Sequence, residues 1–195
     1  DPPEYDAGWR PLTQQLENIQ EMTGPTAKYK EHFNSAMKGL FGDEVTPADH
    51  ARLLLSAVGA DKRITDQLNR ADIKHFGNEQ NGKFPTGQYI SVNLKGEHIT
   101  MNRTLTLMPD GTRRASNDYF VIKKSKQSDG IGVRAFSQQV QTLTAQDFAY
   151  ISTYGAKGGG MVGYKVWPKF GYGFDMPYQL KPAAVSAKVY KSGYS

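Results

Sequence analysis

The stretch KQSDGIGVRAFSQQVQTL, residues 126–143, places two glycines one residue apart and then begins a run with helical spacing. Val133, Phe136, Val140 and Leu143 fall on one face of a 3.6-residue period, which predicts a helix over about residues 131–146. A helix N terminus carries unpaired backbone N–H groups and a partial positive charge, and so attracts anions. Glycine there removes the Cβ that would hold a ligand away from the backbone. DGIGVR therefore suits a phosphate or pyrophosphate; two glycines alone equally suit a tight strand-to-helix turn without a ligand.

Outward from this point the pattern is regular. DYFVIKK (118–124) is a short, nearly continuous apolar run, as expected of an interior strand. FAYIST (148–153) reads as another strand. Strand, glycine turn, helix and strand make a βαβ unit with a right-handed crossover. Upstream, QYISVNL (88–94) and HITMNRTLTLM (98–108) favour alternation and β-branched residues, joined by KGE as a hairpin, and MPDGT (108–112) is a second turn. GNEQNGKFPTG (77–87) is rich in turn formers and reads as a boundary.

Before that boundary the period is helical. Leu12, Leu16 and Ile19 share a face, as do Tyr29, Phe33, Met37 and Leu40, with TGP between the two segments. TPADHARLLLSAVGA (46–60) opens with Thr46 as N-cap, Pro47 at N1 and Asp49 at N3. KRITDQLNRADIKHF (62–76) reads as a fourth helix. The last fifteen residues, 181–195, form a final strand or a loose tail, and no internal repeat is present. The expected fold is α+β: a helical N-terminal segment over 1–80, then a domain over 81–195 built on a mixed sheet flanked by helices.

Composition narrows the function classes. The chain has 195 residues, 38% apolar, with a mean hydropathy of −0.60, enough for one core of modest size. No apolar run approaches the roughly 20 residues of a membrane span, so a soluble protein is expected, cytoplasmic or delivered into a host cell. Absence of cysteine excludes disulfides, thiolate catalysis and cysteine-based zinc sites. A net charge of +5 and a pI near 9.2 favour an anionic partner such as nucleic acid or a phosphorylated cofactor, or simply solubility. The chain opens DPPEYDAGW without an initiator Met or an apolar leader, consistent with a trimmed or processed chain.

QSDGIG (127–132) resembles the Q/R-x-x-G-x-G/A motif of the GCN5-related N-acetyltransferases. In that family a hairpin precedes the signature strand, the motif opens a helix and another strand follows. WPKFGY supplies Trp167, Gly171 and Tyr172 with the spacing of the family's later Y-x-x-x-G-F pattern, so the resemblance covers about residues 85–175. It implies a GNAT-like domain over 81–195 that takes acetyl-coenzyme A, or another acyl-coenzyme A, as donor and an amine as acceptor: a protein, an aminoacyl-tRNA or a small amine. The pyrophosphate would rest on Gly130, Ile131, Gly132 and Val133, with Gln127 at the first motif position and Arg134 and Lys126 adding charge. A backbone N–H near Val121 or Ile122 would polarise the thioester carbonyl. Trp167 stands where the family usually has its tyrosine acid, and indole cannot deliver a proton at neutral pH. Tyr164 is the nearest substitute, with Tyr154 another. Glu97, His98 and Asp118 are the candidate bases, directly or through water.

Other classes fit less well. KFGYGFDM overlaps an RNA-binding strand pattern through Gly171, Tyr172, Gly173 and Phe174, but Asp175 and Pro177 break it. An ADP-ribosyltransferase needs a glutamate near its C-terminal strands, and none occurs after Glu97. The four histidines are scattered, without a ligand pair at i,i+4, and no G-x-S-x-G elbow is present. A structural, virion-associated or effector protein carrying a degenerate acetyltransferase fold is the remaining alternative. Its N-terminal helices would bind a partner or dimerise.

Overall fold

The computed structural model describes residues 10–76 and 87–153, without the side chains of His75, Phe76, Gln127 and Ser128. The N-terminal segment folds as α1 (Arg10–Gln20), α2 (Ala27–Phe41), α3 (His50–Val58) and a single turn α4 (Lys62–Thr65). As the spacing predicts, Leu12, Leu16 and Ile19 of α1 are buried, as are Phe33, Met37 and Leu40 of α2. The turn ahead of α3 is tied by Asp49, whose carboxylate accepts from the Thr46 hydroxyl at 2.7 Å and the Thr46 backbone N–H at 3.4 Å. These two bonds, with the Arg52 guanidinium at 3.0 Å, hold the Asp49 carboxyl below its ordinary pKa. Gly59 closes α3 in the left-handed region, and Ala60 N–H returns to the Leu55 carbonyl at 2.8 Å.

The sheet is five-stranded and mixed, in the order β1 (Leu68–Phe76), β2 (Gln88–Gly96), β3 (Ile99–Leu107), β4 (Arg113–Ile122), β5 (Tyr150–Thr153). The first three pairings are antiparallel. The expected hairpin of β2 and β3 forms, with its turn at Glu97 and His98 rather than over KGE, and β3 passes to β4 through the Met108–Thr112 turn. A chain segment of 3-10 geometry, Lys124–Asp129, then leads into α5 (Ile131–Ala145). The α+β class is thus observed.

Three local expectations are corrected. Residues 68–76 form a strand, not part of a fourth helix. Arg70, Asp72 and Lys74 alternate with Ala71 and Ile73, and pairing to β2 outweighs the helical period of the longer window. β4 is not buried on both faces: Ala115 and Asn117 are buried, whereas Tyr119 is 47% and Val121 40% exposed. And α5 buries Ile131, Ala135, Gln139 and Leu143, leaving Val133 (55%) and Val140 (36%) exposed. The helix carries two apolar stripes, and close approach to α3 at Ala135 selects the one with the smaller residue.

One core serves helices and strands alike. Leu12, Phe33, Leu40 and Leu54 cluster with Ile90, Leu94, Met101, Leu105 and Ala115 of the sheet and with Ile131 and Leu143 of α5. All these strand residues project from one side of the sheet, so the arrangement is a two-layer one with the described helices on that side. β1 is an edge strand, and α1 protects it. The Gln15 side chain donates to the Ala71 carbonyl and accepts from the Ile73 N–H at 2.8 Å, replacing a missing neighbour strand. The chain divides into two compact units, residues 1–151 and 152–195. The first contains both sides of the turn-rich stretch at 77–87.

Candidate functional site

Gly130 and Gly132 prove to have different structural settings. Gly130 is the N-cap of α5 in the left-handed region, at φ 67°, where an L side chain is strained. Gly132 has an ordinary helical backbone. A Cβ on it would lie 3.4 Å from the Phe120 ring and 3.9 Å from Ile122. These are ordinary van der Waals distances, so an alanine would fit there and only a larger side chain would meet the ring.

No side chain caps the N terminus of α5 among the described residues, and its first backbone return is Arg134 N–H to the Gly130 carbonyl at 3.1 Å. The N–H groups of Ile131, Gly132 and Val133 thus belong to the unreturned first turn. Val133 is the exposed side chain of that turn. Arg134 is held by its own protein: Nη1 donates to the Asp129 carbonyl at 2.8 Å, and Nε lies 3.7 Å from the Asp61 carboxylate. Asp61 also caps α4 by accepting from Ile64 N–H, so Arg134 ties α5 to α4. Lys126 lies 3.7 Å from Asp129. Gln127 falls in the 3-10 segment, and its side chain is outside the described residues.

The β2–β3 turn reaches the same end of the sheet. Ile99 pairs with Ile122, and Lys123 N–H donates to the His98 carbonyl at 2.8 Å, which sets Glu97 and His98 beside the exit of β4. His98 Nε2 is 3.5 Å from the Glu97 carboxylate, with Nδ1 buried and without a hydrogen-bond partner. Asp118 lies apart from this pair, accepting from the Thr104 hydroxyl at 2.7 Å and the Ser116 hydroxyl at 2.5 Å. Val121 is half exposed on the outer side of β4, and Ile122 packs inward against the core. Tyr164, Tyr154, Trp167, Gly171 and Tyr172 lie outside the described residues.

Sequence reasoning did not find the irregularity in β4. The register with β3 jumps from Asn102–Tyr119 to Arg103–Asn117, leaving Asp118 as the extra residue of a bulge. Buried Arg103 spans it, with Nη1 donating to the carbonyls of Tyr119 at 2.9 Å and Asn102 at 3.1 Å and the guanidinium 5.1 Å from the Phe120 ring. Beside it, Asn117 of β4 and Gln139 of α5 exchange two amide hydrogen bonds of 2.8 Å in full burial. A polar residue in the middle of each element gave no outward sign of that pairing. Among the described residues no group of three or more His, Asp or Glu side chains is placed to hold a metal ion, and no helix is long and apolar enough to cross a membrane.

In comparison with known proteins, no family model, curated protein or solved structure matches the chain.

Proposed function

We propose that the chain is an acyl-coenzyme A-dependent N-acyltransferase, with acetyl-coenzyme A as donor and an amine as acceptor. The observation that carries this reading is the opening of α5. Among the described residues its first-turn N–H groups lack a side-chain cap, and the turn lies against Phe120 and Ile122 near the end of β4, with Ile122 paired to Ile99, the residue after His98. The diphosphate of the donor would rest on the N–H groups of Ile131, Gly132 and Val133. Charge would come from the exposed lysines Lys123 and Lys124 rather than from the engaged Arg134.

The acceptor amine attacks the thioester carbonyl, so a C–N bond forms and the C–S bond breaks. The proton lost by the amine goes to a base, and the departing thiolate takes one up. The Glu97–His98 pair is the better-placed base, because Asp118 already accepts from two hydroxyls. The carbonyl oxygen needs a fixed N–H donor. The bulge at Asp118 interrupts the ladder and supplies a second location for one, besides Val121 and Ile122. Tyr164 remains the proposed acid. With no cysteine in the chain, transfer is direct, without a thioester on the enzyme.

Titration calorimetry with acetyl-coenzyme A tests the reading. Val133→Glu is the informative variant. Its side chain points to solvent, and an acidic residue in the first turn suits the helix dipole, so the fold is retained while a diphosphate is repelled. Micromolar binding by the native chain, weakened about tenfold or more in Val133→Glu, supports the proposal. Absence of binding, or binding indifferent to that substitution, overturns it. Binding without turnover over a broad amine panel would identify a non-catalytic relative.

A further inference from the structure

The side of the sheet turned away from the helices has a composition of its own. The pairings place its residues in four rows: Tyr89, Thr106 and Arg114; Lys74, Ser91, Thr104 and Ser116; Asp72, Asn93, Asn102 and Tyr119; Arg70, Lys95, Thr100 and Val121. Beside the first row, the Arg114 guanidinium lies 5.0 Å from the ring of Tyr150 in β5. Val121 is the one aliphatic residue in these rows. Tyr119 and Tyr150 are each 47% exposed, which neither solvent nor folding requires of a large ring. This surface offers aromatic faces, a guanidinium plane, and many hydroxyl and amide groups. It is too polar to be a missing core contact.

Its charge is also directional. Asp72 is paired with Arg70 at 2.9 Å, and Asp118 is occupied by the hydroxyls of Thr104 and Ser116. Lys74 and Lys95 have no ion pair among the described residues, and both are exposed. The acidic groups are thus internally satisfied while cations remain, on a chain of net charge +5. A partner must therefore combine negative charge with flat, stackable surfaces. Single-stranded nucleic acid does so: phosphates answer the lysines, bases stack on tyrosine and arginine, and hydroxyl and amide side chains reach base edges and sugars.

We infer that this open sheet face is a platform for single-stranded nucleic acid, with Tyr119 and Tyr150 as stacking positions, Arg114 alongside, and Lys74 and Lys95 on phosphates. The inference stands apart from the acyltransfer reading, since none of these residues is among those assigned there to the donor, the base or the acid.

Fluorescence anisotropy with labelled oligouridylate and oligothymidylate of about 12 nucleotides tests it, since stacking tolerates any base. A single strand is expected to bind more tightly than a duplex of equal length. Tyr119→Ala and Tyr150→Ala should each weaken binding about fivefold or more, while Tyr119→Phe and Tyr150→Phe retain it. Lys74→Ala and Lys95→Ala should each lower the slope of affinity against salt by about 0.7. Thermal unfolding of the tyrosine variants should match the native chain, because both rings lie at the surface, and their titration with acetyl-coenzyme A should be unchanged. Absence of binding at about 0.1 M salt overturns the inference. So does equal affinity for duplex, binding indifferent to loss of both rings, or self-association that depends on the same tyrosines.

Discussion

Gly59 and His50 show how single residues are constrained from far along the chain. Gly59 has φ 79°, and a Cβ on it would run into the Ala135 carbonyl of α5. Gly59→Ala should therefore lose about 2 kcal/mol or more of stability, through strain and a forced separation of α3 from α5, as read by urea denaturation. His50 is buried against Phe33, ring centroids 5.5 Å apart. Desolvation pushes its pKa from 6.5 down to about 4, only partly opposed by the Asp49 carboxylate. Between those values the unfolded chain binds the extra proton, so this contribution to stability is complete above about pH 6.5 and falls away as pH drops toward 4. Melting temperature should decline across that window, and His50→Leu should flatten the decline. A histidine followed by ARLLL is recognisable as helical from sequence; its burial against Phe33 is not.

At the scale of elements, the buried amide pair fixes how α5 lies on β4. Asn117→Ala leaves Gln139 without that partner inside the core and should cost about 1–3 kcal/mol in urea denaturation. The double change of Asn117→Leu and Gln139→Leu should cost less than the sum of the two single changes, since it removes both polar groups together. The edge of β1 depends on a similar device. Gln15→Leu strips the protection from Ala71 and Ile73, with an expected loss of about 1 kcal/mol or more and a greater tendency to aggregate on heating. The existence of α1, α2, α3, α5 and the hairpin was legible, because each carries a clear period or turn signal. β1 was misread because its short alternation sits inside a longer window with helical composition. The buried face of α5 was misread because periodicity permits two stripes, and only packing against α3 and β4 distinguishes them.

For the whole molecule, the shared core makes the N-terminal helices part of the sheet's own support. Leu12, Phe33 and Leu54 come from before the turn-rich stretch, and Ile90, Leu94 and Leu105 from after it. Separately expressed fragments 1–80 and 81–195 should accordingly each lack a cooperative thermal transition, whereas the intact chain shows one for this unit. A cooperative transition in the 81–195 fragment alone would contradict that dependence. The described helices also leave the other side of the sheet to its tyrosines, threonines and lysines, which is where the proposed nucleic-acid surface arises.

The sequence by itself determined the local conformations: helices where apolar residues recur every three to four positions, a hairpin where β-branched residues alternate, and a helix opening at Gly130. These follow from short-range sterics and periodicity, which act within a few residues of one chain segment. Tertiary structure alone decided which stripe of α5 is buried, that Gly132 faces Phe120, that Asp118 is a bulge residue, and that Tyr119 and Tyr150 share an open face. Each of those outcomes depends on strand register and on the approach of segments distant in sequence, and one residue of register exchanges the two faces of a strand.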